Sequence, residues 1–194
     1  TGRREYGKAK PPKFLRPAEV QQLFASLDPS SASGLRTYAM VHLAYSMGMR
    51  PIEISQLRLE DLGFSRQLMR ITARKGDNPV ELPIPEHTLK AVAAYIIGAR
   101  PKTKHRRLFL TLHPAYRPMT PNAVTFRISE TMKKAGLKAS AYWLRHTYAQ
   151  NLLKAGASVF DIKEMLGHDK IESTKKYLCV HTQLMRKVLF DETL

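Results

Sequence analysis

Residues 140–177 read SAYWLRHTYAQNLLKAGASVFDIKEMLGHDKIESTKKY. Ser140 is a good N-cap, and Leu144, Tyr148 and Leu152 recur on one face of the helix it would open. Ala155-Gly156 ends that helix. Val159, Ile162, Met165 and Leu166 predict a short second helix that stops at Gly167-His168, and a third near residues 171–179 carries Tyr177. Arg145, His146, His168 and Tyr177 thus ride on a succession of short helices. A guanidinium, two imidazoles and a phenol in one stretch suit an anion, provided that upstream residues supply more positive charge.

Upstream the chain is mainly helical. Pro17-Ala18-Glu19 opens a helix striped by Val20, Leu23 and Leu27, because proline and an early glutamate both suit a first turn. A Ser/Gly loop separates it from a helix over about residues 35–47, rich in Ala, Met and Leu, which Gly48 ends. Pro51 marks another first turn, so Arg50 stands at a helix N-terminus, where its guanidinium and the open backbone N–H groups suit an anion. From Gln67 the period changes to two. Leu68, Arg70, Thr72 and Arg74 alternate with Met69, Ile71 and Ala73, the turn cluster Lys75-Gly76-Asp77-Asn78 comes next, and residues 80–84 return as a strand. A helix over residues 86–98, the short apolar run Leu108-Phe109-Leu110 and a helix from Thr120-Pro121 to about Ala135 complete the approach to Ser140. The pattern predicts an α+β domain, mainly α-helical, with a small antiparallel β-sheet near residues 67–84.

Thirty-two lysines and arginines stand against 16 acidic residues, a net charge of +16. An excess of that size favours a polyanionic partner, because each neutralised phosphate releases condensed counterions. Double-stranded DNA is the expected partner, and charge alone would fit a nonspecific nucleic-acid binder equally well. Two segments concentrate the charge. Arg3, Arg4, Lys8, Lys10 and Lys13 lie in a Gly/Pro-containing arm over residues 1–16, and Lys102, Lys104, Arg106 and Arg107 lie in the loop after Arg100. With Arg74 they are the expected DNA contacts. No apolar run is long enough to span a bilayer, nothing at the N-terminus looks like a signal peptide, and Cys179 is the single cysteine. A reducing, cytoplasmic setting is expected. His42, His87, His105, His113 and His181 show no metal spacing and read as structural or surface groups. Tyr45 and Tyr148 read as packing residues, and Trp143 as core.

Taken in order, the polar groups resemble the tyrosine recombinase (phage integrase) family, in its C-terminal catalytic domain. The box Gly48-Met49-Arg50-Pro51-Ile52-Glu53-Ile54-Ser55-Gln56-Leu57 is similar to the family's Gly-x-Arg-x-x-Glu-Ile/Leu-x-x-Leu. The hairpin Ile71-Thr72-Ala73-Arg74-Lys75-Gly76-Asp77-Asn78 with Val80-Glu81-Leu82-Pro83 resembles its catalytic-lysine hairpin. Leu144-Arg145-His146-Thr147-Tyr148-Ala149 resembles the family's second box, and Leu166-Gly167-His168 and Tyr177 resemble its later histidine and its tyrosine. One position departs: the family's His-x-x-Arg is Tyr142-Trp143-Leu144-Arg145 here, so a phenol replaces the usual imidazole donor.

The resemblance implies that Tyr177 attacks a DNA phosphodiester and forms a 3′-phosphotyrosyl link. Arg50, Arg145, His168 and Tyr142 would hydrogen-bond the nonbridging oxygens, Lys75 would protonate the leaving 5′-oxygen, and Glu53 and His146 would support the arginines. It implies site-specific recombination or integration on mobile DNA in a prokaryote, with neither metal nor ATP and no other cofactor. The isolated domain would be a monomer, assembling as a tetramer on synapsed DNA. Residues 1–16 would be an interdomain linker, 17–180 the catalytic domain, and 181–194 a tail helix for protomer contacts. A type IB topoisomerase-like relaxing activity and a catalytically weakened DNA-binding module are the alternative expectations, the second prompted by Tyr142.

Overall fold

The computed structural model describes residues 13–72, 79–158, 161, 162 and 166. Among them are six α-helices and three short strands. Helix α1 (Pro17–Ala25) starts where Glu19 Oε2 accepts the Arg16 N–H at 2.7 Å, and it buries Leu23. Helix α2 (Ala32–Ser46) is the axis of the domain. Its Ala39, Met40, Val41, Leu43 and Ala44 are all buried, which a helix achieves only when neighbours cover most of its circumference. Those neighbours are α4 (Glu86–Gly98), α5 (Pro121–Lys134), α6 (Ala141–Lys154) and the short α3 (Pro51–Gln56).

Helix α2 begins one turn before the expected residue 35. Ser31 Oγ accepts the Gly34 N–H at 3.0 Å, and the Asp28 carbonyl approaches Gly34 so closely that a Cβ there would stand 1.6 Å from its oxygen. Glycine at this position is therefore part of the helix start, although in sequence it looks like loop.

The expected hairpin is present as β2 (Leu68–Ile71) and β3 (Val80–Pro83), antiparallel, with Arg70 opposite Glu81 and Met69 opposite Leu82. Met69, Ile71, Val80 and Leu82 face the core, and Arg70 and Glu81 face outward, as the period of two requires. A third strand, β1 (Leu62–Gly63), pairs with β2 on its other side. The expected turn at residues 75–78 lies outside the described residues.

At the start of α6, Ser140 occupies the N-cap but its hydroxyl caps nothing; the Ala141 N–H donates instead to Ser129 Oγ at 3.4 Å. Leu15, expected within the arm, belongs to the core at 3% exposure. Trp143 packs against the core from its edge rather than inside it, with Lys13 Nζ 5.7 Å from its ring centroid. His42 is a deeply buried group on α2, between the rings of Phe24 and Tyr38 and 5.4 Å from that of His87. Among the described residues neither of its ring nitrogens has a hydrogen-bond partner.

Burial, reinforced by the charge of His87, pushes the His42 imidazole down to about 4 from its ordinary 6.5. The folded chain thus keeps His42 neutral, whereas the unfolded chain binds its proton near 6.5. Stability from this residue is complete above about pH 6.5 and declines as pH falls toward 4, by about 3 kcal/mol in all. Thermal melts at pH 7.5 and 5 should show this loss, and His42→Phe should flatten it.

Candidate active site

Helices α3 and α6 meet over a single carboxylate. Gly48 turns the chain out of α2 with φ +61, and Arg50 follows as the N-cap of α3. Glu53, in the first turn of α3, folds back so that its Oε2 accepts the Arg50 N–H at 2.7 Å and its Oε1 lies 3.2 Å from Arg50 Nη1. The same Oε2 is 3.7 Å from Arg145 Nη1, an ion pair reaching from the second turn of α6. The Glu53 side chain is 1% exposed, Arg145 8% and Arg50 24%. The two guanidiniums therefore converge on one buried anion, and Arg50 is the more open of them.

Arg145 is held by more than charge. Its Nη1 donates to the Gly48 carbonyl at 2.7 Å and its Nη2 to the Leu166 carbonyl. One side chain thereby ties the turn before α3, the body of α6 and the segment that leads to Gly167. The turn itself is wedged from behind: a Cβ on Gly48 would lie 2.4 Å from Tyr148 Cδ1. Arginine suits this post because its planar fork serves several acceptors at once and stays charged when buried.

His146 follows Arg145 and is half-buried. Burial first, and then the Arg145 charge, lower its affinity for a proton below the ordinary imidazole value. Tyr142, one turn before Arg145, is 51% exposed. Lys75, His168 and Tyr177 lie outside the described residues, as do Arg3, Arg4, Lys8, Lys10 and Arg74. The structure thus brings together Arg50, Glu53 and Arg145, places His146 and Tyr142 on the same helix as Arg145, and does not describe the expected nucleophile or general acid. Among the described residues no group of three His, Cys, Asp or Glu side chains is placed to hold a metal ion.

The basic loop after α4 is organised by a residue not singled out from the sequence. Arg100 donates from Nε to the Leu108 carbonyl at 3.0 Å and from Nη2 to the carbonyls of His105 and Arg107 at 2.6 and 2.7 Å. Lys102 and Lys104 project from the loop exposed to solvent. Arg106 is exposed and shares Glu60 with Arg58, whereas Arg107 is half-buried and donates to the Gln56 carbonyl. Four cations in one run thus have different tasks, and no pattern of residue types would have separated them.

Comparison with known proteins gives this arrangement a context. Among solved structures, the chain superposes on the integrase from mycobacterium phage Brujita with a TM-score of 0.67 at 27% identity, covering 93% of this chain and 59% of that one. It superposes on the XerA recombinase with a TM-score of 0.72 at 23% identity, covering 96% and 67%. One is an integrase and the other a recombinase by name, and their fold is the one described above. The phage integrase family matches residues 13–183, and this chain belongs to that family. Among curated relatives, tyrosine recombinase XerC of Bacillus pumilus is 32% identical over 183 residues, 91% of this chain and 60% of that protein. Tyrosine recombinase XerD of Staphylococcus aureus is 32% identical over 185 residues, 92% and 62%. The chain spans 43–62% of the length of the curated relatives it matches.

Proposed function

We propose that this chain is the catalytic domain of a site-specific DNA recombinase that cleaves and rejoins strands through Tyr177. The observation that carries the reading is the convergence of Arg50 and Arg145 on Glu53, in a chain that belongs to the phage integrase family and has a net charge of +16. Attack on a phosphodiester develops negative charge on two nonbridging oxygens, and a pair of fixed guanidiniums is the arrangement that stabilises it. Tyr142 and His168 would add donors to the same oxygens, and His146 would help to hold Arg145.

The balance of the step is simple. The Tyr177 phenol gives up its proton to solvent and its oxygen bonds to phosphorus; the P–O5′ bond breaks, and the 5′-oxygen takes a proton from Lys75, which regains one from solvent. A phenol loses its proton only near pH 10 in water, so cations around Tyr177 are needed to favour the phenoxide. The phosphotyrosyl ester conserves the free energy of the bond it replaces, so a 5′-hydroxyl from a second duplex can reverse the step without ATP. Double-stranded DNA is the substrate, held through the basic arm and the loop that Arg100 organises. The working assembly would be a tetramer on two paired duplexes and the isolated chain a monomer. Among the described residues no helix is long and apolar enough to cross a membrane, and a bacterial cytoplasmic site of action goes with the proposal.

A nicked duplex that loses the segment beyond the cleaved phosphate would trap the intermediate. The expected product is an SDS-resistant protein–DNA adduct, formed in EDTA, whose DNA-bearing peptide contains Tyr177. Absence of the adduct, or attachment at another residue, would overturn the assignment.

A further inference from the structure

We propose that Thr147 is a positioning residue for Arg145, acting as the dock on which the chain entering the domain holds helix α6. The inference rests on the strand-cleaving reading above. Thr147 Oγ1 accepts the Leu15 N–H at 2.9 Å in a buried bond between residues 132 apart in sequence, and its own hydroxyl donates back to the Trp143 carbonyl at 2.7 Å. One turn earlier on the same face, the Trp143 ring lies under Lys13 Nζ. Thr147 is 2% exposed and Leu15 3%. Two alternate residues of the entering chain, Lys13 and Leu15, therefore meet two residues a single helical turn apart, at Trp143 and Thr147.

Helical rotation carries this contact to the site. Residues 145 and 147 are about 200° apart around the axis, so Arg145 and Thr147 leave α6 on nearly opposite sides. Arg145 points to Glu53 and the Gly48 carbonyl, and Thr147 to the entering chain. Helix α6 is gripped from both sides, and slackening one grip lets the other drift. A displacement well below the length of a hydrogen bond at the Arg145 guanidinium is enough to cost rate without costing DNA affinity, since most DNA affinity comes from phosphate contacts made elsewhere. The back-bonded hydroxyl also explains threonine here: one oxygen serves as acceptor for the strap and as donor to the helix, which valine of the same shape cannot do.

The test compares Thr147→Val and Thr147→Ser in the full chain. On the suicide duplex at saturating DNA, Thr147→Val should form adduct about tenfold more slowly, with the dissociation constant for DNA unchanged within about twofold. Thr147→Ser keeps the hydroxyl and should restore the rate. A second substrate carries a neutral methylphosphonate at the cleaved position, which removes the charge that Arg145 stabilises; there the deficit of Thr147→Val should shrink to about twofold. A residue that merely supported the fold would slow both substrates alike. Equal slowing on the two substrates, a full rate for Thr147→Val, or a Thr147→Ser variant as slow as valine would each overturn the proposal. If the unaltered chain forms no adduct on the phosphate substrate, the cleavage reading fails and the role of Thr147 falls with it.

Discussion

Arg145→Ala should lower the rate of adduct formation at saturating DNA by about 10²–10³-fold, the range typical when one donor to a developing oxyanion is removed. It should also lower thermal stability, and the second effect distinguishes Arg145 from an arginine that only touches substrate. Arg145 bonds the Gly48 and Leu166 carbonyls and lies 3.7 Å from the buried Glu53 carboxylate. Its removal takes one of two cations from a carboxylate that is 1% exposed and leaves Arg50 as the other, so the cost should fall below the ~3–5 kcal/mol of a buried charge left unpaired. Arg145→Lys keeps the charge but not the fork, so it should recover some stability and little rate. The checks are a thermal melt and single-turnover cleavage on one preparation; an unaltered melting temperature would contradict the structural half of the expectation, and an unaltered rate the chemical half.

Gly48→Ala is the second large effect. The backbone there has φ +61, a left-handed conformation that disfavours any β-carbon, and the added methyl would meet the Tyr148 ring at 2.4 Å. Strain and overpacking together should cost about 2–5 kcal/mol. The Gly48 carbonyl is also an acceptor for Arg145, so cleavage should fall more steeply than the folded fraction does. Adding Tyr148→Leu should relieve the clash but not the backbone strain, giving partial recovery in chemical denaturation. Recovery to the parent stability would mean that the positive φ is not a burden.

The elements that were legible in sequence are those whose residues carry a periodic pattern. Alternation from Leu68 to Ile71 announced the hairpin because one face of it is buried. Strand β1, two residues long, has no period to read. The start of α2 was hidden because Gly34 sits inside a helix, where glycine is normally a poor choice, for a reason visible only in space: the carbonyl of Asp28. Arg50, Glu53 and Arg145 were legible as a spaced set of residue types, but their convergence on one carboxylate was not, since Glu53 and Arg145 lie 92 positions apart in the chain. Arg100 left no signal because its partners are backbone carbonyls, which every residue has. Thr147 was legible only as a member of the second box; its contact was silent, because its distant partner is a backbone N–H.

Glu53 also decides when the site can exist. Two guanidiniums brought together in a chain already carrying a net charge of +16 would repel, and the site would have to wait for a phosphate to hold it closed. With one carboxylate between them the local charge falls from +2 to +1. The arginines are then in place beforehand, while a net positive charge remains for the incoming backbone. Assembly and attraction, which would otherwise oppose each other, are reconciled by one acidic side chain in a chain with few of them.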